Sequence, residues 1–511
     1  MNGYEMGAFV FYFLAILAIG IYFFVKSKAQ SEKDYFLGGR NMGGWVSALS
    51  AGASDMSAWV LMGLPGAIYM SGLSQIWISV GLIAGTLIAW IFIAPKLRRF
   101  AIKADDSITV PQFLSNRFKS KSPILRVSCA VIFVVGYCLY AASSVYACGE
   151  LFHMLVPTIS MDIGMIIMTI VIVAYTLLGG FNAVCWTDFL QGMLMLVALL
   201  SLPLIAFIIL KTTGTTNPGV TPDNFYNILG GSFSWESVAS ILTGLSWGLG
   251  YLGMPHILVR YMAIKSEKEM KKSRIIGSVW TFLILLAATF LGIVAREFLG
   301  NTAEGEKERV FVNIVRAIFN PGALAIIGGL LISAIIAASM STADSQLLAS
   351  SSSFASDIYK TTINKKATEK QLLWVGRLAV IVVTAVALGI ALLVYYLKIG
   401  SIMQLVSAAW SIFGAAFGPT IVLALFWRRF NEKGAIAGII TGFIVSILWM
   451  VLFNLEYYGF SSLAFNTKIY ELLPGFVISL VVAIVVSKCT KRPSEEVLKL
   501  FDSVSNKSEE E

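Results

Sequence analysis

The chain is predicted to be an all-α integral membrane protein of about thirteen transmembrane helices, ten of them arranged as a five-plus-five inverted repeat. Three observations carry this. Apolar segments long enough to cross a bilayer recur along nearly the whole sequence, basic residues gather in alternate loops, and two helices are interrupted by small and polar residues at matching depth.

Of the 511 residues, 57% are hydrophobic and only 13% charged, with 33 Phe and 12 Trp, which lies outside the range of soluble domains. A spanning helix needs roughly 20 mostly apolar residues, and runs of that kind leave no room for a sizeable soluble domain. The first, residues 6–25, is too long for the core of a cleavable signal, follows Glu5 and precedes Lys26 and Lys28, so it reads as a retained first helix. Further runs begin near residues 45, 75, 124, 162, 186, 235, 275, 322, 371, 400, 433 and 471. Cys129, Cys138, Cys148, Cys185 and Cys489 lack metal-ligand spacing and read as small core residues.

The net charge of +9 could suggest nucleic acid, but its distribution points to membrane topology. Lys26, Lys28, Lys33 and Arg40 follow the first run; Lys96, Arg98, Arg99 and Lys103 follow the third; Lys265, Lys268, Lys271, Lys272 and Arg274 follow the seventh. Lys360, Lys365, Lys366 and Lys370, then Arg428, Arg429 and Lys433, then Lys488, Lys491 and Arg492 continue the alternation. The positive-inside rule therefore places the N-terminus outside and the C-terminus in the cytoplasm of a bacterial-type cell membrane. One external loop, residues 301–316, has three basic residues, but Glu304, Glu306 and Glu308 accompany them. Residues 491–511 are charged and short of aromatics, and are expected to be a loosely ordered extension without chemistry.

The resulting organisation is a first helix and cytoplasmic loop (1–44), a first repeat of helices two to six (45–211), a second of helices seven to eleven (235–428), helices twelve and thirteen (429–490) and the tail. Amphipathic stretches at 109–118 and 309–319 occupy equivalent positions in the two units, one cytoplasmic and one external, so the units have opposite orientation. Inverted repeats of this kind recur in secondary transporters, whose sites lie at the bilayer midplane where the first helix of each unit is broken.

Both breaks are legible. In helix two, Ser50-Ala51-Gly52-Ala53-Ser54-Asp55-Met56-Ser57 begins a few residues after Trp45 and places a carboxylate about ten residues in. At 1.5 Å per residue that is roughly 15 Å deep, half of a ~30 Å hydrocarbon core. In helix seven, Trp247-Gly248-Leu249-Gly250-Tyr251-Leu252-Gly253-Met254-Pro255 combines three glycines with a proline, again mid-span.

An ionised side chain at the bilayer centre costs about 2.5 to 3.5 kcal/mol on insertion scales, so Asp55 needs a partner or a wet cavity, and its own helix has no Lys or Arg. A hard monovalent cation takes several oxygen ligands, which unwound backbone and hydroxyls such as Ser57 supply. Helix nine provides the complement in Ala338-Ser339-Met340-Ser341-Thr342, with the Ala338 carbonyl near Ser341 and Thr342 by i, i+3 and i, i+4 spacing. Serines in membrane helices otherwise serve packing, so the assignment rests on the matching depth of Asp55. Tyr140 in helix four and Trp247 and Tyr251 in helix seven supply an apolar wall with polar tips, suited to a compact ring bearing charged groups. Asp188 and Asp344 lie toward the cytoplasmic ends of their helices and are placed on a possible ion exit path; His153 and His256 are too few for a metal cluster. The sequence has no phosphate-binding glycine loop, histidine pair or nucleophile elbow, so an enzyme is not expected. A channel remains the rival class.

Residues 47–57, followed by Gly63-Leu64-Pro65-Gly66-Ala67, closely resemble the proline branch of the sodium:solute symporter family. The likeness extends to Trp247-Gly248-Leu249-Gly250-Tyr251 with Pro255-His256, to Gly179-Gly180-Phe181 with Trp186-Thr187-Asp188, to Met340-Ser341-Thr342 and to Lys433-Gly434-Ala435. The resemblance implies a LeuT-type inverted repeat and Na⁺-coupled symport of L-proline, with no organic cofactor and no obligate protein or nucleic-acid partner. It implies a Na⁺ site formed by the carbonyls of Ala53, Met56 and Ala338 and the hydroxyls of Ser341 and Thr342, with Asp55 essential nearby. It also places the solute against Tyr140, Trp247, Tyr251 and Pro255; Trp59 and Gly63 are assigned to the same pocket. Pantothenate, sugars and monocarboxylates are the alternative solutes.

Overall fold

The computed structural model describes residues 3–26, 31–213, 221–301, 304–320, 322–458 and 467–505. Lys28 and residues 506–511 of the tail lie outside them. The chain begins with α1 (Gly3–Lys26) and a short helix α2 (Glu32–Leu37). Then come α3 (Gly44–Asp55), α4 (Leu64–Ser71), α5 (Ile76–Ile88), α6 (Ala94–Lys103), α7 (Val110–Arg117), α8 (Ile124–Leu155) and α9 (Met161–Thr213). The second half holds α10 (Trp235–Ser246), α11 (Pro255–Ala263), α12 (Glu267–Leu299), α13 (Val310–Phe319), α14 (Leu324–Ser352), α15 (Glu369–Leu397) and α16 (Ile402–Phe426). It ends in α17 (Glu432–Phe453), α18 (Leu472–Cys489) and α19 (Glu495–Ser505). Among the described residues the only extended pairing is an isolated bridge between Met42 and Ile264.

Helix starts follow local chemistry. Thr109, Ser234, Thr368 and Asn431 each accept the backbone N–H two or three residues into the following helix, satisfying a donor the helix itself leaves unmatched. The α9 element is two helices joined at Gly180, whose φ of 59° and ψ of −172° suit only glycine, and its two parts correspond to the runs expected from 162 and 186. The amphipathic stretches at 109–118 and 309–319 are α7 and α13.

Among the described residues, ten stretches are long and apolar enough to cross a membrane by length and composition. A further apolar helix, Met161–Leu177, is shorter, and the residues expected for helices two and seven are split into α3 with α4 and α10 with α11. The centre of the fold is α14, whose residues 331–348 are all buried and which packs against α1, α8, α9 and α3. Leu14, Ile170, Val197, Leu378 and Val481 point outward and are exposed, as a lipid solvent requires. Four of the cysteines are buried, as expected, and Cys489 is exposed.

The tail departs from expectation. Residues 495–505 form α19, which buries Val497, Phe501 and Val504. Apolar residues at i, i+4 and i+7 make one helical face, a spacing that overall charge content conceals. Arg428 donates from Nε and Nη2 to the two Asp502 carboxylate oxygens, each at 2.8 Å, and Phe501 meets the Phe100 ring at 5.8 Å.

Candidate functional site

Helix two breaks one residue after the carboxylate. Asp55 ends α3, Met56 leaves helical geometry with φ −81° and ψ 63°, and Trp59–Gly63 resume as a π-helical turn before α4. The Asp55 carbonyl, which a continuous helix would occupy once, accepts the Ser57 N–H at 2.9 Å, the Trp59 indole N–H at 3.3 Å and the Tyr140 hydroxyl at 3.3 Å. Its carboxylate is buried; Tyr251 donates to Oδ2, while Oδ1 has no hydrogen-bond partner among the described residues.

Helix seven breaks through a 3-10 turn, Trp247–Leu252, and an extended Met254 that hands over to Pro255 at the start of α11. Its glycines serve close approach and not positive φ. A Cβ on Gly250 would sit 2.1 Å from the Trp410 indole nitrogen, and one on Gly248 2.1 Å from the Gly81 carbonyl. Close backbone approach therefore fixes Gly248, and the packed Trp410 indole fixes Gly250.

The fold brings α14 against the first break. Ser341 Oγ donates to the Ala53 carbonyl at 2.9 Å and the Ala338 carbonyl at 3.1 Å, joining α3 to α14. Thr342 Oγ1 and Ser57 Oγ, both buried, have no hydrogen-bond partner among the described residues, and with Asp55 Oδ1 they are three buried oxygens left unmatched near the break. Buried polar atoms are costly to leave unpaired, so the cluster is poised to hold something electropositive. Among the described residues no hydrogen bond joins the Met56 carbonyl to α14.

Beside the two breaks, aromatic rings accumulate. Trp59 and Trp247 lie 6.0 Å apart, Trp247 stacks on Trp410 at 6.4 Å and on Tyr470 at 5.1 Å, and Tyr251 meets Trp410 edge-on at 5.4 Å. Trp410 also donates its indole N–H to the Trp247 carbonyl at 2.8 Å. A cavity of about 450 Å³ opens above them, lined by Gly63, Trp247, Met403, Ser407 and Tyr470. Pro255 opens α11, and its neighbour His256 approaches the Tyr140 ring at 6.2 Å and the Tyr137 hydroxyl at 3.4 Å. That position suits a structural histidine.

Asp188 and Asp344 are fully buried, and they share one polar cluster. Arg260 donates to Asp188 Oδ2 at 2.8 Å, to Ser50 Oγ at 2.7 Å and to Ser345 Oγ; Tyr175 donates to Asp344, whose other oxygen accepts Ser345 at 3.1 Å. Ser50 lies five residues before Asp55, about 7.5 Å along the helix. Arg260, Tyr175, Trp410 and Tyr470 were not singled out in the sequence. A signal existed for Arg260, a cation within the apolar inner half of helix seven; the other three are aromatic residues indistinguishable in sequence from ordinary packing.

The chain resembles several known proteins over nearly its full length. It is 42% identical to the high-affinity proline transporter PutP of Bacillus subtilis, over 95% of this chain and 98% of that one. It is 39% identical to the osmoregulated proline transporter OpuE of the same organism, over 96% of each, and 38% identical to a sodium/proline symporter of Staphylococcus aureus, over 94% and 92%. Among solved structures, a Na⁺-coupled sialic acid symporter in a substrate-bound outward-open state shares the fold at 20% identity, with a TM-score of 0.75 over 97% of this chain and 99% of that one. MhsT in complex with L-phenylalanine shares it more loosely, with a TM-score of 0.54 at 14% identity over 87% and 97%. The profile of the sodium:solute symporter family matches residues 35–442, and with these full-length relatives the chain, a transport protein, belongs to that family.

Proposed function

We propose that the protein couples entry of Na⁺ to uptake of L-proline by alternating access. The observation that carries this reading is the Ser341 hydroxyl bridging the Ala53 and Ala338 carbonyls beside the unmatched oxygens of Asp55, Ser57 and Thr342. Carbonyls and hydroxyls suit a hard cation, which joins α3 of one repeat to α14 of the other. The names of its relatives favour proline as the solute, and Trp247, which lines the cavity and lies 6.0 Å from Trp59, offers its ring an apolar wall, with Tyr140 and Tyr251 reaching Asp55 through their hydroxyls.

In this reading the split helices complete a count of thirteen crossings, with residues 45–211 and 235–428 as the inverted repeats, the N-terminus outside and the C-terminus in the cytoplasm. Ion occupancy stabilises the conformer that binds proline, and proline in turn raises affinity for the ion by the same factor. Asp188 and Asp344, buried with Arg260, sit on the cytoplasmic side of the break and line the ion's exit. The test is uptake of labelled proline and a panel of other solutes into proteoliposomes with and without an inward Na⁺ gradient. Proline uptake that needs the gradient is expected. Equal uptake without Na⁺, or accumulation of another solute in preference to proline, overturns the reading.

A further inference from the structure

Trp247 is held from outside the two repeats. The segment just before α18 runs along α10: the Thr243 hydroxyl donates to the Lys468 carbonyl at 3.1 Å and accepts the Tyr470 N–H at 3.1 Å, and Lys468 pairs with Glu236 at the outer end of α10. The Ile469 carbonyl accepts the Trp449 indole N–H at 3.2 Å and an Asn454 amide N–H at 2.8 Å, which ties the segment to α17. Tyr470 is thereby aimed inward, and its hydroxyl donates to the Ser407 carbonyl of α16 at 2.6 Å. Its ring lies nearly parallel to Trp247, 20° between planes at 5.1 Å, while Trp410 flanks Trp247 at 6.4 Å and 27°.

We infer that Tyr470 is a positioning residue for solute binding: it fixes the Trp247 ring between the outer cavity and the Asp55 break. Two anchored rings leave the Trp247 side chain little rotamer freedom, so the solute meets a wall whose ordering entropy has already been spent in folding. The inference rests on Trp247 contacting the solute, and the experiment separates the two claims.

Equilibrium binding of labelled proline at saturating Na⁺ is measured for purified wild type, Tyr470→Ala, Tyr470→Phe, Trp247→Ala and the Tyr470→Ala/Trp247→Ala double variant, with Na⁺ binding in the absence of proline alongside. Tyr470→Ala is expected to weaken proline binding by about 3- to 10-fold, the worth of an aromatic pair, with Na⁺ binding unchanged. Tyr470→Phe keeps the stacked ring and is expected to restore wild-type affinity, and the double variant should bind no worse than Trp247→Ala alone. Unchanged affinity in Tyr470→Ala overturns the inference; if Trp247→Ala is unchanged as well, the solute-wall reading falls with it. Weakening in Tyr470→Ala that adds in full to that of Trp247→Ala, or that is accompanied by loss of Na⁺ binding, also overturns it, because Tyr470 would then act by another route.

Discussion

Tyr251 and Asp55 join the two broken helices directly: the phenolic hydroxyl from the helix-seven turn donates to the carboxylate at the end of α3. The sequence suggested a division of labour, with aromatic residues touching the solute and Asp55 serving the ion. The hydrogen bond blurs that division, because a residue proposed for the solute is bonded to the carboxylate proposed for the ion. Tyr140 does the same through the Asp55 carbonyl.

Tyr251→Phe should therefore disturb Na⁺ dependence as well as proline affinity. A hydrogen bond to a charged group contributes about 1.5 to 3 kcal/mol, so the Na⁺ concentration giving half-maximal proline binding is expected to rise at least about 10-fold. The check is a Na⁺ titration of proline binding to purified protein. A variant with lowered proline affinity but a wild-type Na⁺ midpoint would return Tyr251 to the solute wall alone.

Asp55→Asn retains the size of the side chain and removes its charge. Coupling energies between sites are typically about 1 to 3 kcal/mol, a 5- to 150-fold effect of Na⁺ on proline affinity, and the variant is expected to lose most of it. Wild-type Na⁺ dependence in Asp55→Asn would mean that the cation lies elsewhere.

Thr342→Val preserves shape and deletes one of the unmatched oxygens, so it should raise the Na⁺ requirement for uptake; Thr342→Ser, which keeps the oxygen, should not. The comparison is initial uptake rate against external Na⁺ in proteoliposomes. Equal midpoints for Val and Ser variants would exclude Thr342 as a ligand.

Arg260→Met leaves Asp188 buried without its cation, and breaking a buried pair costs about 3 to 5 kcal/mol. The thermal midpoint of purified Arg260→Met is expected to fall well below wild type, and adding Asp188→Leu should recover much of the loss because neither charge is then stranded. A double variant less stable than the single would show that Asp188 is held by Ser50 and Ser345 and not by Arg260.

The periodicity of apolar runs and the spacing of basic loops determined the class, the near-positions of the helix starts and the two breaks, because bilayer thickness and backbone satisfaction act on local sequence. Asp55 was legible for the same reason: a lone carboxylate in an apolar run is costly without a partner or a wet cavity. Four other features were decided by packing alone. The register of α14 against α3 sets Ser341 between two carbonyls, and Gly248 permits backbone approach to Gly81 while Gly250 admits the Trp410 indole. Arg260 meets Asp188 across some seventy positions of sequence, and Tyr470 reaches Trp247 from beyond α16 and α17. Each of these joins residues distant along the chain, and side-chain identity carries no record of its neighbour until the helices are packed; α19 is the converse case, where an ordinary helical spacing was present in the tail but its partners, Arg428 and Phe100, lie on other elements.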